Sequence, residues 1–126
     1  MGARLALVLG SLAMAIAVAL GAFGAHALKA RLAPDMLDVW RTGVTYHAWH
    51  ALALVAVGLL MLHVPDSAPL RGAGWLFVAG IVLFAGSLYA LALGAPNGFG
   101  AITPFGGLAF IAGWIVLAFG VWRSQA

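Results

Sequence analysis

Four long runs of this chain contain no Lys, Arg, Asp or Glu: Leu5 to Leu28, Gly43 to Val64, Gly72 to Leu93 and about Thr103 to Trp122. Each holds about 20 residues, enough for one helix to cross roughly 30 Å of hydrocarbon. The runs are continuously apolar rather than alternating, which predicts helices and not the strands of a barrel. Helices also satisfy every backbone group within the segment, as a bilayer requires. With 65% hydrophobic and only 7% charged residues, against roughly 25% charged in a soluble domain, the chain could not cover a water-facing surface. The expected fold is an all-α membrane protein: a single domain, residues 1–126, of four transmembrane helices in an antiparallel bundle. The first run has some features of a secretory signal, with Arg4 before it and Ala25-His26-Ala27 resembling a cleavage site. It is long for a signal core and three more runs follow, so it reads as a span.

The joints carry most of the charge. Between the first two spans, Pro34 stops the first helical region and Asp35 can cap a new one, with Asp38 in its first turn. Met36, Leu37, Trp40 and Val44 fall on one side at helical spacing. This predicts a short interfacial helix over 35–42, with Trp40 at headgroup depth. The second joint, Pro65 to Arg71, reads as a turn. The third, Gly94 to Gly100, contains Pro96 and Asn97-Gly98 and no charge. Thr103-Pro104 then reads as an N-cap followed by proline at the first helical position. Small residues at intervals of four (Ala13, Ala17, Gly21 and Ala25; Gly86, Ala90 and Gly94; Ala109 and Gly113) predict stripes where helices approach closely.

Six Lys and Arg against three Asp give a net charge of +3. The basic residues flank apolar runs, as in membrane proteins, and form no stripe interleaved with exposed aromatics, so no nucleic-acid partner is expected. The expected partner is the lipid bilayer, with a homo-oligomer or another membrane protein as further candidates. There is no cysteine, which excludes disulfides and thiolate metal sites. Arg4, Arg71 and Arg123 lie on one side, and Lys29, Arg31 and Arg41 on the other. This balance leaves orientation undecided.

Connectivity brings the end of span one, the start of span two, the end of span three and the start of span four to one membrane face. That face gathers His26, Lys29, Tyr46, His47, His50, Ser87, Tyr89, Asn97 and Thr103. At 1.5 Å per residue, His50 and Ser87 lie about 10 Å deep, and His26 and His47 roughly 5 Å. An ionisable side chain at such depth is costly and marks a candidate site. The cluster His26, His50, Ser87, Tyr89, Tyr46, His47 and Thr103 could fix helix register through interhelical hydrogen bonds. It could also bind a partner or small ligand, or relay protons, since imidazole titrates near pH ~6.5. His47 and His50, three apart, with His26 from a neighbouring helix, form a possible three-histidine metal set, but no carboxylate lies within the spans to join them. No cofactor is expected. No group orients His50 toward Ser87 as a triad would, so no catalytic constellation is recognised and the chain does not read as an enzyme.

Gly21-Ala22-Phe23-Gly24-Ala25-His26-Ala27-Leu28-Lys29 resembles the signature of the YgdD/YwdK-like family of small membrane proteins. Thr42-Gly43-Val44 through Tyr46, His50, Ala51 and Leu52 resembles its second motif. Gly86-Ser87-Leu88-Tyr89 and Ile102-Thr103-Pro104-Phe105-Gly106-Gly107, followed by Ala112-Gly113-Trp114, resemble its third and fourth. The similarity spans all four helices. It implies a four-span protein of the bacterial inner (cytoplasmic) membrane with no established activity, whose motif histidines fall on His26 and His50. His47 departs from the pattern, where glutamine is the common residue, and Trp49 stands where tyrosine or phenylalanine is usual. The departure at His47 weighs against the three-histidine metal set, since one proposed ligand would be peculiar to this chain. The alternative function is that of a proton- or ion-handling membrane protein or an accessory subunit of a membrane complex.

Overall fold

The structure, a computed structural model, describes residues 1–124. Five α-helices follow one another: α1 (Ala3–His26), α2 (Pro34–His63), α3 (Ala68–Gly80), α4 (Gly86–Ala92) and α5 (Thr103–Arg123). A π-helical turn, Ile81–Ala85, joins α3 directly to α4, so the two form one span. The described residues contain four helical spans long and apolar enough to cross a membrane, and no strand.

The segment expected as a separate interfacial helix is helical but not separate. α2 runs unbroken through 30 residues, about 45 Å at 1.5 Å per residue, and 35–42 are its first two turns. Pro34 does not stop a helix here. It begins one, at the position where its missing N–H costs nothing. Ala33 is the N-cap, and Asp35 lies in the first turn, where its charge meets the positive helix end. Nothing between Asp35 and Thr42 can break the helix, and Gly43 stays helical, buried against the Tyr89 ring.

Trp40 is packed inside the protein. It is 3% exposed, its indole N–H donates to the Leu20 carbonyl of α1 at 3.0 Å, and its ring fills the place a side chain on Gly24 would need. The indole finds inside the protein the hydrogen-bond partner that a buried tryptophan requires.

The small-residue stripe of α1 is also set differently. The buried positions are Ala6, Gly10, Ala17 and Gly24, while Ala25 is exposed. Steps of four drift about 40° per step around a helix of 3.6 residues per turn. Steps averaging 3.5 keep a seam facing its partner. At Gly10 the contact is backbone to backbone: an added Cβ would stand 2.8 Å from the Val55 amide nitrogen and 3.0 Å from the Ala51 carbonyl oxygen. Gly113 does pack closely, against Phe77, whereas Gly86 faces open space. Gly94 closes the third span instead of packing. Its φ of 98° is left-handed, and the bonds Ala95 N–H to Ala90 O (2.9 Å) and Gly94 N–H to Leu91 O (3.1 Å) make a Schellman ending.

Helix α1 packs along α2, the third span packs along α5, and α2 joins the two pairs through the third span. Two apolar cores result. The larger contains Leu54, Val57, Met61, Leu70, Phe77 and Phe110. The smaller contains Leu28, Leu37, Trp40 and Ala92. Between them along α2 and the third span lie the three buried polar side chains His47, His50 and Ser87.

Candidate functional site

The polar band is built from one hydrogen bond per pair of neighbouring helices. His50, one helical turn past Tyr46 on α2, turns its ring toward α5. Its Nδ1 lies 2.7 Å from the Tyr46 carbonyl oxygen, and its Nε2 lies 3.0 Å from the Trp114 indole nitrogen. A carbonyl only accepts and an indole N–H only donates, so Nδ1 carries the hydrogen and Nε2 offers its lone pair. Both nitrogens are spent, and the ring is the neutral tautomer. It also stacks on Phe110, with centroids 3.6 Å apart and planes 13° apart. Three constraints from two helices hold this imidazole.

His47 faces the other way. Its Nδ1 lies 2.8 Å from the Tyr89 hydroxyl on α4, joining α2 to the third span. The Tyr89 ring in turn packs on Trp40 at 4.7 Å. Either partner can donate in this pair, since a hydroxyl does both.

Ser87 and Thr103 join the third span to α5. Their hydroxyl oxygens lie 2.6 Å apart, and the Ser87 hydroxyl also donates to the Phe84 carbonyl at 2.9 Å. The expected N-cap role of Thr103 is therefore not what its hydroxyl does. Thr103 is the first helical residue and Ile102 the cap. Phe84 belongs to the π turn, whose widened ring shifts the backbone bonding pattern and lets a side chain reach its carbonyl. Gly106 of α5 presses directly on the Phe84 backbone, leaving no space for a Cβ.

Tyr46 is partly exposed. Its ring lies 4.8 Å from Phe84 and 5.1 Å from Trp49. His26 stands apart: it is exposed at the end of α1 and has no side-chain hydrogen bond among the described residues. No group of three His, Asp or Glu side chains converges among the described residues, so His26, His47 and His50 are not brought together. His47 and His50 face different helices, and His26 faces outward.

Spacing and connectivity do not place the aromatic half of the band: Phe110 and Phe84, Trp114, which stands out only within a motif, and Trp40, which is expected at headgroup depth. The signal available was Phe110 and Trp114 at i, i+4 on a helix whose glycines 106 and 113 clear space beside them.

A family described as protein of unknown function (DUF423) matches residues 20–107. The UPF0382 membrane protein YwdK of Bacillus subtilis is 48% identical over 111 residues, covering 88% of this chain and 90% of the relative. The UPF0382 membrane protein SH2409 of Staphylococcus haemolyticus is 44% identical over 114 residues, covering 90% and 92%. Its counterpart SSP2132 from Staphylococcus saprophyticus is 44% identical over 117 residues, covering 93% and 96%. No solved structure matches the chain.

Proposed function

The chain belongs to the DUF423 family, as a multi-pass bacterial membrane protein, and from that premise we propose that its polar band works as a clamp fixing the four helices in one register. The observation that carries this reading is His50. Its two nitrogens are engaged in opposite senses, one to its own helix and one to α5. Apolar surface alone does not hold helices together in lipid, where tails are as apolar as leucine. Hydrogen bonds and close contacts at small residues do that work, and here both are present: Trp40 to Leu20, His47 to Tyr89, His50 to Trp114 and Ser87 to Thr103. The same engagement argues against a proton or ion relay through His50, which has no lone pair to offer without releasing Trp114.

A double-mutant cycle tests the clamp. His50→Phe and Trp114→Phe keep the rings and remove the bond. Unfolding in mixed micelles should give a coupling energy of about 0.6 kcal/mol, with about 1.7 as the upper bound for such bonds. Zero coupling together with wild-type stability for His50→Phe would sink the reading.

A further inference from the structure

Where α2, the π turn and α5 diverge, a cleft of about 430 Å³ opens toward the lipid, within the size range of small-molecule sites. Six of its lining residues carry rings: Tyr46, Trp49 and His50 from α2, Phe84 from the π turn, Phe110 and Trp114 from α5. No charged side chain lines it. Gly107 gives the floor, with the Phe84 ring nearly 4 Å from where its Cβ would stand.

Three independent features make this more than a lipid-facing dent. The Tyr46 hydroxyl and the Trp49 indole N–H have no hydrogen-bond partner among the described residues. Both residues are exposed on the bundle surface, Tyr46 by 36% and Trp49 by 57%, and at this depth in a bilayer no bulk water supplies a partner. The Phe84 wall is placed by a π turn, a rare geometry frequent at functional sites. The opposite wall is rigid before any ligand arrives, because Trp114 and Phe110 are locked to His50, so binding orders little.

The walls define the occupant. Ring faces favour a flat conjugated ring in offset or edge contact. Two unpaired donors ask for oxygen acceptors. A hard ion finds no counter-charge here, and a quaternary ammonium group, which ring faces alone would suit, has no acceptor for the two donors. A saturated acyl chain would leave both donors unpaired. Tyr46 and Trp49 lie three and six residues past Gly43, roughly 5–10 Å into the hydrocarbon, so the ligand must be soluble in the membrane. We propose that this cleft binds the head group of a membrane quinone: flat, neutral and carrying carbonyl acceptors, with its tail in the lipid. The proposal goes beyond the clamp, which supplies one wall, and concerns binding alone.

The test uses the whole protein in nanodiscs of phosphatidylethanolamine and phosphatidylglycerol, titrated with a ubiquinone bearing one isoprene unit while tryptophan fluorescence is followed. Saturable quenching is expected. Tyr46→Phe, which keeps the ring and so the fold, should weaken it about 5- to 10-fold, the size of one lost hydrogen bond. Trp122→Phe, at an 86% exposed position outside the cleft, should leave affinity unchanged. Quenching that rises linearly with quinone overturns the proposal, as does equal affinity in wild type and Tyr46→Phe. Tyr89→Phe, which removes the clamp's bond to His47 outside the cleft, should lower stability and leave quinone affinity unchanged, so the clamp and the cleft can fail separately.

Discussion

Single glycines show how little space separates these helices. Gly106 meets backbone, the amide and Cα of Phe84, which cannot rotate away as a side chain could. Gly106→Ala should therefore lower stability by about 1–3 kcal/mol, as overpacking does. Gly86→Ala should raise it by about 0.5–1 kcal/mol, because that position is helical, faces open space and gains only helix propensity. Unfolding of both variants in the same micelles checks the pair, and equal effects would contradict the packing. The histidines divide in the same concrete way. Spacing and connectivity placed His47 and His50 on one turn of one helix near one membrane face, and that was readable from the sequence. Which helix each ring faces was not readable, because residues three apart on a helix differ by about 60° around its axis. That angle sends one imidazole to Tyr89 and the other to Trp114. His26 was readable only as a position at a helix end, and its exposure depends on how α1 lies against α2.

At the scale of elements, the four spans were legible because hydrocarbon thickness leaves few ways to use 20 uncharged residues. The joints were less so. Pro34 starts α2, although the sequence alone fits a stop equally, since the same residue suits the first turn and forbids the interior. The π turn left no mark in the sequence at all. It is one residue more than an α-helical register needs, in a stretch, Ile81 to Ala85, that is uniformly apolar. Its visible anchor is Ser87, which bonds both the Phe84 carbonyl and Thr103. Ser87→Ala alone strands the Thr103 hydroxyl and should cost about 1–2 kcal/mol. Ser87→Ala with Thr103→Val removes both partners and should recover part of that loss, since matched apolar replacement is nearly neutral. Thermal melting of the three variants decides it: no recovery in the double variant means the hydroxyls act separately.

On the scale of the molecule, the bundle is two helical hairpins meeting at the α2 face. Each hairpin has its own close-packed glycine contacts, Gly10 and Gly58 in the first and Gly106, Gly113 and Gly120 in the second. The His47–Tyr89 and His50–Trp114 bonds cross between them. Coexpressed halves 1–65 and 66–126 should therefore insert separately and copurify. Tyr89→Phe combined with Trp114→Phe should reduce the yield of the pair without reducing either half in the membrane. Failure of the wild-type halves to associate would mean that the connection, and not the polar band, holds the hairpins together.

Helix α2 is a rod of about 45 Å in a layer of roughly 30 Å, and it has no joint between Pro34 and His63. About three turns, carrying Asp35, Asp38 and Arg41, therefore reach beyond the hydrocarbon while rigidly continuous with the turn that bears His47 and His50. Such a rod is a lever with its fulcrum at the bilayer surface. Whatever grips the outer arm tilts the inner one by the same angle, and the tilt passes from the Trp40 and Tyr89 contacts to the Trp114 bond and the aromatic wall beside it.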